Sequence, residues 1–364
     1  MSEPFQPPCC PNTRCRMHMK PEPRFYIRRG CYWPRCRTEA VPRFSCRHCR
    51  RSFSRQTFRL DYRDRRPECN ERVFEMLASG VGLRQTGRIV RLSVRGVQHK
   101  FRKLARGMRQ LNRNLMRQLP GPGPRTFLLD EMETFEHSSI LRLTVPVLIE
   151  RQSLAILAVD VAPIRRVPRR GSARQRWLVR HELEHGKRPD RSRASVSKVL
   201  GRFRRLLGGK PARLITDEKA LYAALLRRVV PEGVTHETVS AELARTTHNP
   251  LFPINLTDAM LRDNNGRMRR RTWLVSKERR YLLAQLELFT AYRNWHRLRA
   301  NRDDPPRTPG VVLGLAERAF RIDELLAWRQ DWRDRSIHPT SRDGGHAIGV
   351  GGRTVASTGE STPR

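Results

Sequence analysis

The chain has 364 residues, and 74 Lys plus Arg against 35 Asp plus Glu give it a formal net charge of +39 and a pI near 11.5. Such a length admits a real core and two or three domains, and such a charge binds phosphate polyanions through counterion release. No stretch reaches the length of a membrane-spanning helix, and MSEPFQPPCCPNTRC lacks an apolar signal core, so the sequence predicts a soluble, cytoplasmic protein without a membrane partner.

Residues 1–60 are rich in Cys, Pro and Arg, with little apolar periodicity. They bury too little surface to fold alone and need a staple. All eight cysteines fall within the first 69 residues, and in a reducing compartment that clustering favours metal over disulfides. Cys10 and Cys15 form C-x4-C, and Cys46 and Cys49 form C-x2-C. Two such knuckles give Zn²⁺ its four thiolates, as in a zinc ribbon. Cys31 and Cys36 offer a second C-x4-C, so the ligand set stays open, and a disordered basic tail is the plainer alternative.

Residues 61–119 read as helices. NERVFEMLASG carries apolar Val73, Phe74 and Leu77 and stops at Gly80. GLRQTGRIVRL is a second helix, and the segment from Ser93, a natural N-cap, to Leu119 is a third. Short helices joined by tight turns, the later one basic, form a helix-turn-helix pattern that places Arg95, Gln98, His99, Lys100 and Arg102 near a duplex. An ordinary basic helical hairpin is the alternative. PGPGPR at 120–125 marks a boundary.

Residues 125–300 predict a mixed α/β domain. RTFLLDEMETF, LRLTVPVLIE and LAILAVDVAPI are three successive strands. A charged segment (165–192) and the helix ASVSKVLGRFRRLL follow, then the strand ARLITDE and the helix ALYAALLRRVV. HETVSAELA reads as a fifth strand or a helix start, and helical material closes the domain. Asp130 and Asp217 end apolar, strand-like runs, where a strand can present a carboxylate to a cleft. Brought side by side, they make a hard oxygen site for Mg²⁺ or Mn²⁺. This order of elements, with acids where Asp130 and Asp217 fall, matches a ribonuclease-H-like core. Glu131, Glu133 and Asp160 are further acids, ranked below the pair. Within 301–364, VVLGLAERAFRIDELLAWRQDWRD predicts one amphipathic helix, and the tail after Ser336 reads as disordered.

HELEH (His181, Glu182, His185) matches H-E-x-x-H, whose histidines share a helix face to bind Zn²⁺ with the Glu as base, and Glu218 is a candidate third ligand. The arginine-crowded surroundings argue against this protease reading.

The cysteine knuckles, FSRQTFRLDYRDRRPECNERVFEMLASGVGLRQTGRIV, LLDEMETFEH, LITDEKALY and NLTDAMLRDNNGRMRRRTWLVSK together resemble a bacterial DDE-type transposase of the insertion-sequence-one type and its relatives, from about Cys10 to Arg299. The resemblance implies a zinc ribbon, a helix-turn-helix for terminal inverted repeats, and a ribonuclease-H-like domain that cuts and joins DNA with Mg²⁺. It implies a homo-oligomer on DNA, associated with the bacterial nucleoid. Asp130 and Asp217 correspond to the first two metal ligands. The family's third acid precedes the LR of the late helix by seven positions, and counting back from Arg262 lands on Asn255. An amide oxygen still ligates Mg²⁺; Asp258, one turn along, is an alternative ligand, and an inactive, purely DNA-binding copy is another. Arg262, Arg267, Arg270, Arg271 and Lys277 resemble the family's strand-positioning residues.

Overall fold

The computed structural model describes residues 5–34, 39–117, 119–121, 125–230, 233–240, 242–244, 246–269 and 273–327. In the N-terminal unit, a one-turn helix α1 (Arg16–Met19) precedes an antiparallel sheet of β1 (Tyr26–Tyr32), β2 (Val41–Cys46) and β3 (Ser52–Ser54), in that order across the sheet. Its core is small: Phe25, Phe44, Phe53 and Phe58 beside buried cysteines. Rings such as Phe44 and Phe53, 5.8 Å apart, supply most of its apolar contact.

Three helices follow, α2 (Asn70–Ala78), α3 (Leu83–Val90) and α4 (Val94–Leu115), where the sequence predicts them. The Ser93 hydroxyl accepts from the Gly96 amide at 3.1 Å and starts α4 as the expected N-cap. The turn before it is tight. Arg91 closes α3 in the left-handed region (φ +53°), and a Cβ on Gly87 would lie 2.7 Å from the Leu92 carbonyl oxygen, so only glycine fits there.

The large sheet contains β4 (Arg125–Phe135), β5 (Arg142–Glu150), β6 (Ile156–Val159), β7 (Ala162–Pro163), β8 (Ala212–Asp217) and β9 (Val234–Val239). Its order is β6-β5-β4-β8-β9, with β7 paired to β5. β4 and β5 are antiparallel, whereas β4–β8 and β8–β9 are parallel, so the sheet is mixed. The parallel pairings need crossovers, which α5 (Ala173–His185) with α6 (Ser192–Leu207), and then α7 (Ala220–Val229), provide. The ambiguous HETVS segment is a strand. The charged segment, read without structure, holds α5, capped by Ser172 on the Gln175 amide at 3.2 Å. With Leu178 its only buried residue, α5 has no apolar stripe for a sequence reading to find.

α8 (Phe252–Asp263) and α9 (Arg279–Trp295) complete the layer over one sheet face, where Leu128, Met132, Val147 and Ile215 meet Ile254, Leu261, Leu282 and Phe289. The opposite face packs Phe127, Leu129 and Leu214 against α6, α7 and α4. That second core does not stop at 120–125. It runs from Val73 and Phe74 through Leu104 and Leu111 to Phe203 and Trp295, so α2–α4 share their core with the sheet despite the proline-rich break. Within the described part of the expected C-terminal helix, α10 (Pro309–Val312) and α11 (Ile322–Ala327) are separated by a non-helical segment, and the part after Ala327 lies outside the described residues. Leu313, Phe320 and Leu325 are buried in the same core, which bends this segment round the molecule rather than letting it extend. The predicted disordered tail lies outside the described residues. Among the described residues, no helix is long and apolar enough to cross a membrane.

Candidate functional site

The sheet register brings the two aspartates together. β4 and β8 pair in parallel as Phe127↔Leu214 and Leu128↔Ile215, and the same register two residues on sets Asp130 beside Asp217. Alternation then places both on the face shared with Leu128, Met132 and Ile215, under α8. β4 continues to Phe135, so Asp130 stands within the strand rather than at its tip. Both residues are half-buried; the Glu131 amide donates to Asp130 Oδ1 at 2.6 Å and the Lys219 amide to Asp217 Oδ1 at 3.1 Å.

α8 adds a third carboxylate. Its buried residues Ile254, Thr257, Asp258 and Leu261 follow helical spacing, so Asp258 points inward with the core stripe while Asn255 lies off it, half-buried. Asp258 is 8% exposed, and its Oδ1 has no hydrogen-bond partner. Burial, then the charge of Asp130, push its carboxyl well above the usual range, while the nearby Arg262 guanidinium works the other way. The Tyr222 hydroxyl is driven up by burial, then by Glu131, Asp217 and Asp130, which shows how much negative charge gathers at this end of β4 and β8. Among the described residues, only the four N-terminal thiols come within 4.8 Å of one another as a set of three or more ligands, so the three aspartates are not all within that distance of each other.

The lower-ranked acids are held by protein partners. Glu131 accepts from Thr144 Oγ1 at 2.8 Å and the Tyr222 hydroxyl at 3.1 Å, and pairs with Lys219. Glu133 pairs with Arg166, and Asp160 accepts from Ser195 and Lys198.

Among the cysteines, the structure selects one set. Cys10, Cys15, Cys46 and Cys49 lie within 4.8 Å of one another, with Cys10 and Cys49 Sγ 3.5 Å apart and Cys15 and Cys46 Sγ 3.9 Å apart. Cys31 is exposed, and Cys36 lies outside the described residues. Tight turns build each knuckle: the Cys15 amide donates to Asn12 O at 2.9 Å, and the Arg50 amide to Cys46 O at 2.9 Å. Burial raises the Cys10 and Cys15 thiols. Burial also acts to raise Cys49, but the Arg51 amide, Asn12 and the neighbouring thiols outweigh it and leave it at about 7. A four-thiol set of this spacing can hold a metal ion, and its donors suit zinc.

α4 divides its basic residues between two faces. Arg95, His99, Arg102, Arg106 and Arg113 are exposed along one line, and Gln98 is half-buried at its side. Lys100 is on the other face, against the expectation that it meets a duplex. It is 5% exposed, and its Nζ donates to both Asp64 oxygens at 2.7 Å, to Arg66 O at 2.7 Å and to Asn70 Oδ1 at 2.8 Å. Arg267 is likewise taken: its guanidinium lies 5.6 Å from the Phe101 ring centroid, and it donates to Ser276 Oγ at 3.0 Å. Arg262 stands half-buried near Asp258, Lys277 is exposed, and Arg270 and Arg271 lie outside the described residues.

HELEH does sit on a helix, with the His181 and His185 rings stacked at 4.5 Å. Glu182, however, is gripped by Arg165 at 2.7 and 2.9 Å, which removes the base such a site needs. Glu218 does not complete a three-ligand cluster with the histidines among the described residues. No family model and no curated protein matches the chain.

Proposed function

We propose that the chain is a metal-dependent enzyme of DNA strand cleavage and joining, a transposase of the bacterial DDE type with a ribonuclease-H-like catalytic core. The observation that carries this reading is Asp258: a buried carboxylate with an unbonded oxygen, beside Asp130 and on the same layer as Asp217. An isolated buried charge is costly, and a divalent cation is the natural partner for three acids gathered this way. Asp130, Asp217 and Asp258 would hold Mg²⁺ or Mn²⁺, with Asp258 rather than Asn255 as third ligand. When bound, such ions lower the pKa of an attacking water and offset charge on the leaving 3′ oxygen. The three carboxylates fix where the scissile phosphate lies, and the strand-and-helix scaffold keeps them aligned before it arrives.

The sheet order and the acids on neighbouring strands support the ribonuclease-H-like assignment. The exposed α4 arginines, after two short helices and a tight turn, support duplex binding by a helix-turn-helix. The four thiols would hold Zn²⁺ and secure the N-terminal unit. Action as a homo-oligomer at paired DNA ends, in the cytoplasm at the nucleoid, completes the proposal. A second reading, DNA binding without catalysis, draws support from Asn255 and from the three carboxylates not all lying within 4.8 Å of one another.

Nicking of a duplex carrying the element's own ends, with Mg²⁺ or Mn²⁺, separates the two. Cleavage that falls at least about a hundredfold in Asp130→Ala and Asp217→Ala supports the enzyme. Tight binding with no cleavage by the unaltered chain leaves the binding reading.

A further inference from the structure

Away from the aspartates, a cavity of about 480 Å³ opens between α4, α6, α9 and the edge strand β6. Five cationic side chains line it, Arg109 and Arg113 from α4 and Lys198, Arg202 and Arg205 from α6, against two carboxylates, Asp160 and Glu287. The carboxylates are already engaged. Asp160 takes Ser195 and Lys198, and Glu287 lies 3.3 Å from Arg109. Arg202 donates to the Met116 carbonyl, while Arg113 and Arg205 form no hydrogen bond or ion pair among the described residues.

One buried polar group in the cavity wall is left without a partner. Thr290, 4% exposed and lining the cavity, has a hydroxyl with no hydrogen-bond partner, whereas the buried Arg109 Nε already faces Glu287 Oε1 at 3.3 Å. An unsatisfied hydroxyl in a buried wall is costly unless a ligand or water meets it. Here the surplus of positive charge selects an anion. The crowding is real: burial, then Arg205 and Arg113, pull the Arg202 guanidinium down to about 10.

The position along α4 suggests which anion. Arg95, His99, Arg102, Arg106, Arg109 and Arg113 recur at steps of three and four and so share one helix face. At 1.5 Å per residue the line runs for about 27 Å, and the cavity sits at its C-terminal end.

We propose that this cavity is a phosphate-binding site, with Arg113, Arg202 and Arg205 as its cationic grip and Thr290 Oγ1 as a donor. The phosphate comes either from the backbone of nucleic acid lying along α4 or from a free polyphosphate. The site is separate from the aspartates and does not depend on strand cleavage.

The test compares the full zinc-loaded chain with Arg113→Gln/Arg205→Gln, both exposed positions, after circular dichroism shows equal folding. Metal activators of cleavage are withheld, so failure of the catalytic reading leaves this result intact. Inorganic tripolyphosphate that raises the melting temperature of the unaltered chain, an effect lost in the double variant, identifies a free polyphosphate. No response to tripolyphosphate, with duplex binding whose plot of log K against log salt becomes shallower by about two in the variant, identifies backbone phosphate. Equal responses of the two proteins to both probes, or none from the unaltered chain, overturn the proposal.

Discussion

Two buried charges, Lys100 on α4 and Asp258 on α8, have opposite fates here. Lys100 is buried but satisfied by four acceptors, whereas Asp258 is buried and left with an open oxygen. The first is structural; the second marks the proposed site. Sequence alone groups Lys100 with the exposed arginines of α4 because the stretch around it is uniformly basic. Its position about 140° round the helix from Arg95 puts it on the side of Val97, Phe101 and Leu104, a distinction that the apolar spacing of α4 already contains. Lys100→Met should strand Asp64 without its cation and cost about 3–5 kcal/mol at neutral pH, read by denaturant melts. The pH dependence has a definite sign. Burial alone would raise the Asp64 carboxyl, but hydrogen bonding and charge from Lys100 outweigh it and hold it below the usual value. Its contribution is therefore present above the unfolded value of about 4 and is lost as pH falls through the folded one. The unaltered chain should weaken on acidification below about pH 4, and the variant should weaken less. Equal neutral-pH stability of the two proteins would show that Lys100 is not an anchor.

At the scale of elements, strands and helices with strong periodicity are legible and those with mixed environments are not. β4, β5 and β8 are runs of Leu, Ile and Val, and α2 to α4 carry a clear apolar stripe with Ser93 as a cap. α5 is nearly all exposed, so its sequence reads as charge without order. α8 shows a finer limit. Counting from Arg262 leads to Asn255, but the face that enters the core is set by Ile254 and Leu261, and Asp258 belongs to that face. On α4, Arg95→Ala/Arg102→Ala should weaken duplex binding and reduce the salt slope of log K by about two, with little change in melting temperature, because both side chains are exposed. Unchanged affinity in filter-binding or fluorescence titrations would remove α4 from the interface.

For the whole molecule, composition and cysteine clustering point to a stapled N-terminal unit followed by an α/β region; the structure has a mixed α/β region and, before it, a four-thiol cluster that could hold a metal. What the sequence hides is how the later parts join. The proline-rich break at 120–125 suggests separate domains, but long-range burial of Phe74, Leu111 and Trp295 in one core binds α2–α4 to the sheet. The N-terminal unit keeps its own small core of phenylalanines and cysteines. Stripping metal with a strong chelator should therefore disorder residues 5–60 while α2–α4 and the large sheet persist, as hydrogen exchange resolved by segment would show. Collapse of protection throughout the chain would mean that the two cores are energetically one.

The proposed site requires three aspartates to hold one cation, and Mn²⁺ binding followed by electron paramagnetic resonance tests this directly. It predicts that Asp130→Ala, Asp217→Ala and Asp258→Ala each weaken Mn²⁺ binding by at least about tenfold, whereas Asn255→Ala leaves it nearly unchanged. Undiminished binding in Asp258→Ala, with loss in Asn255→Ala, would contradict the assignment of the buried carboxylate as third ligand.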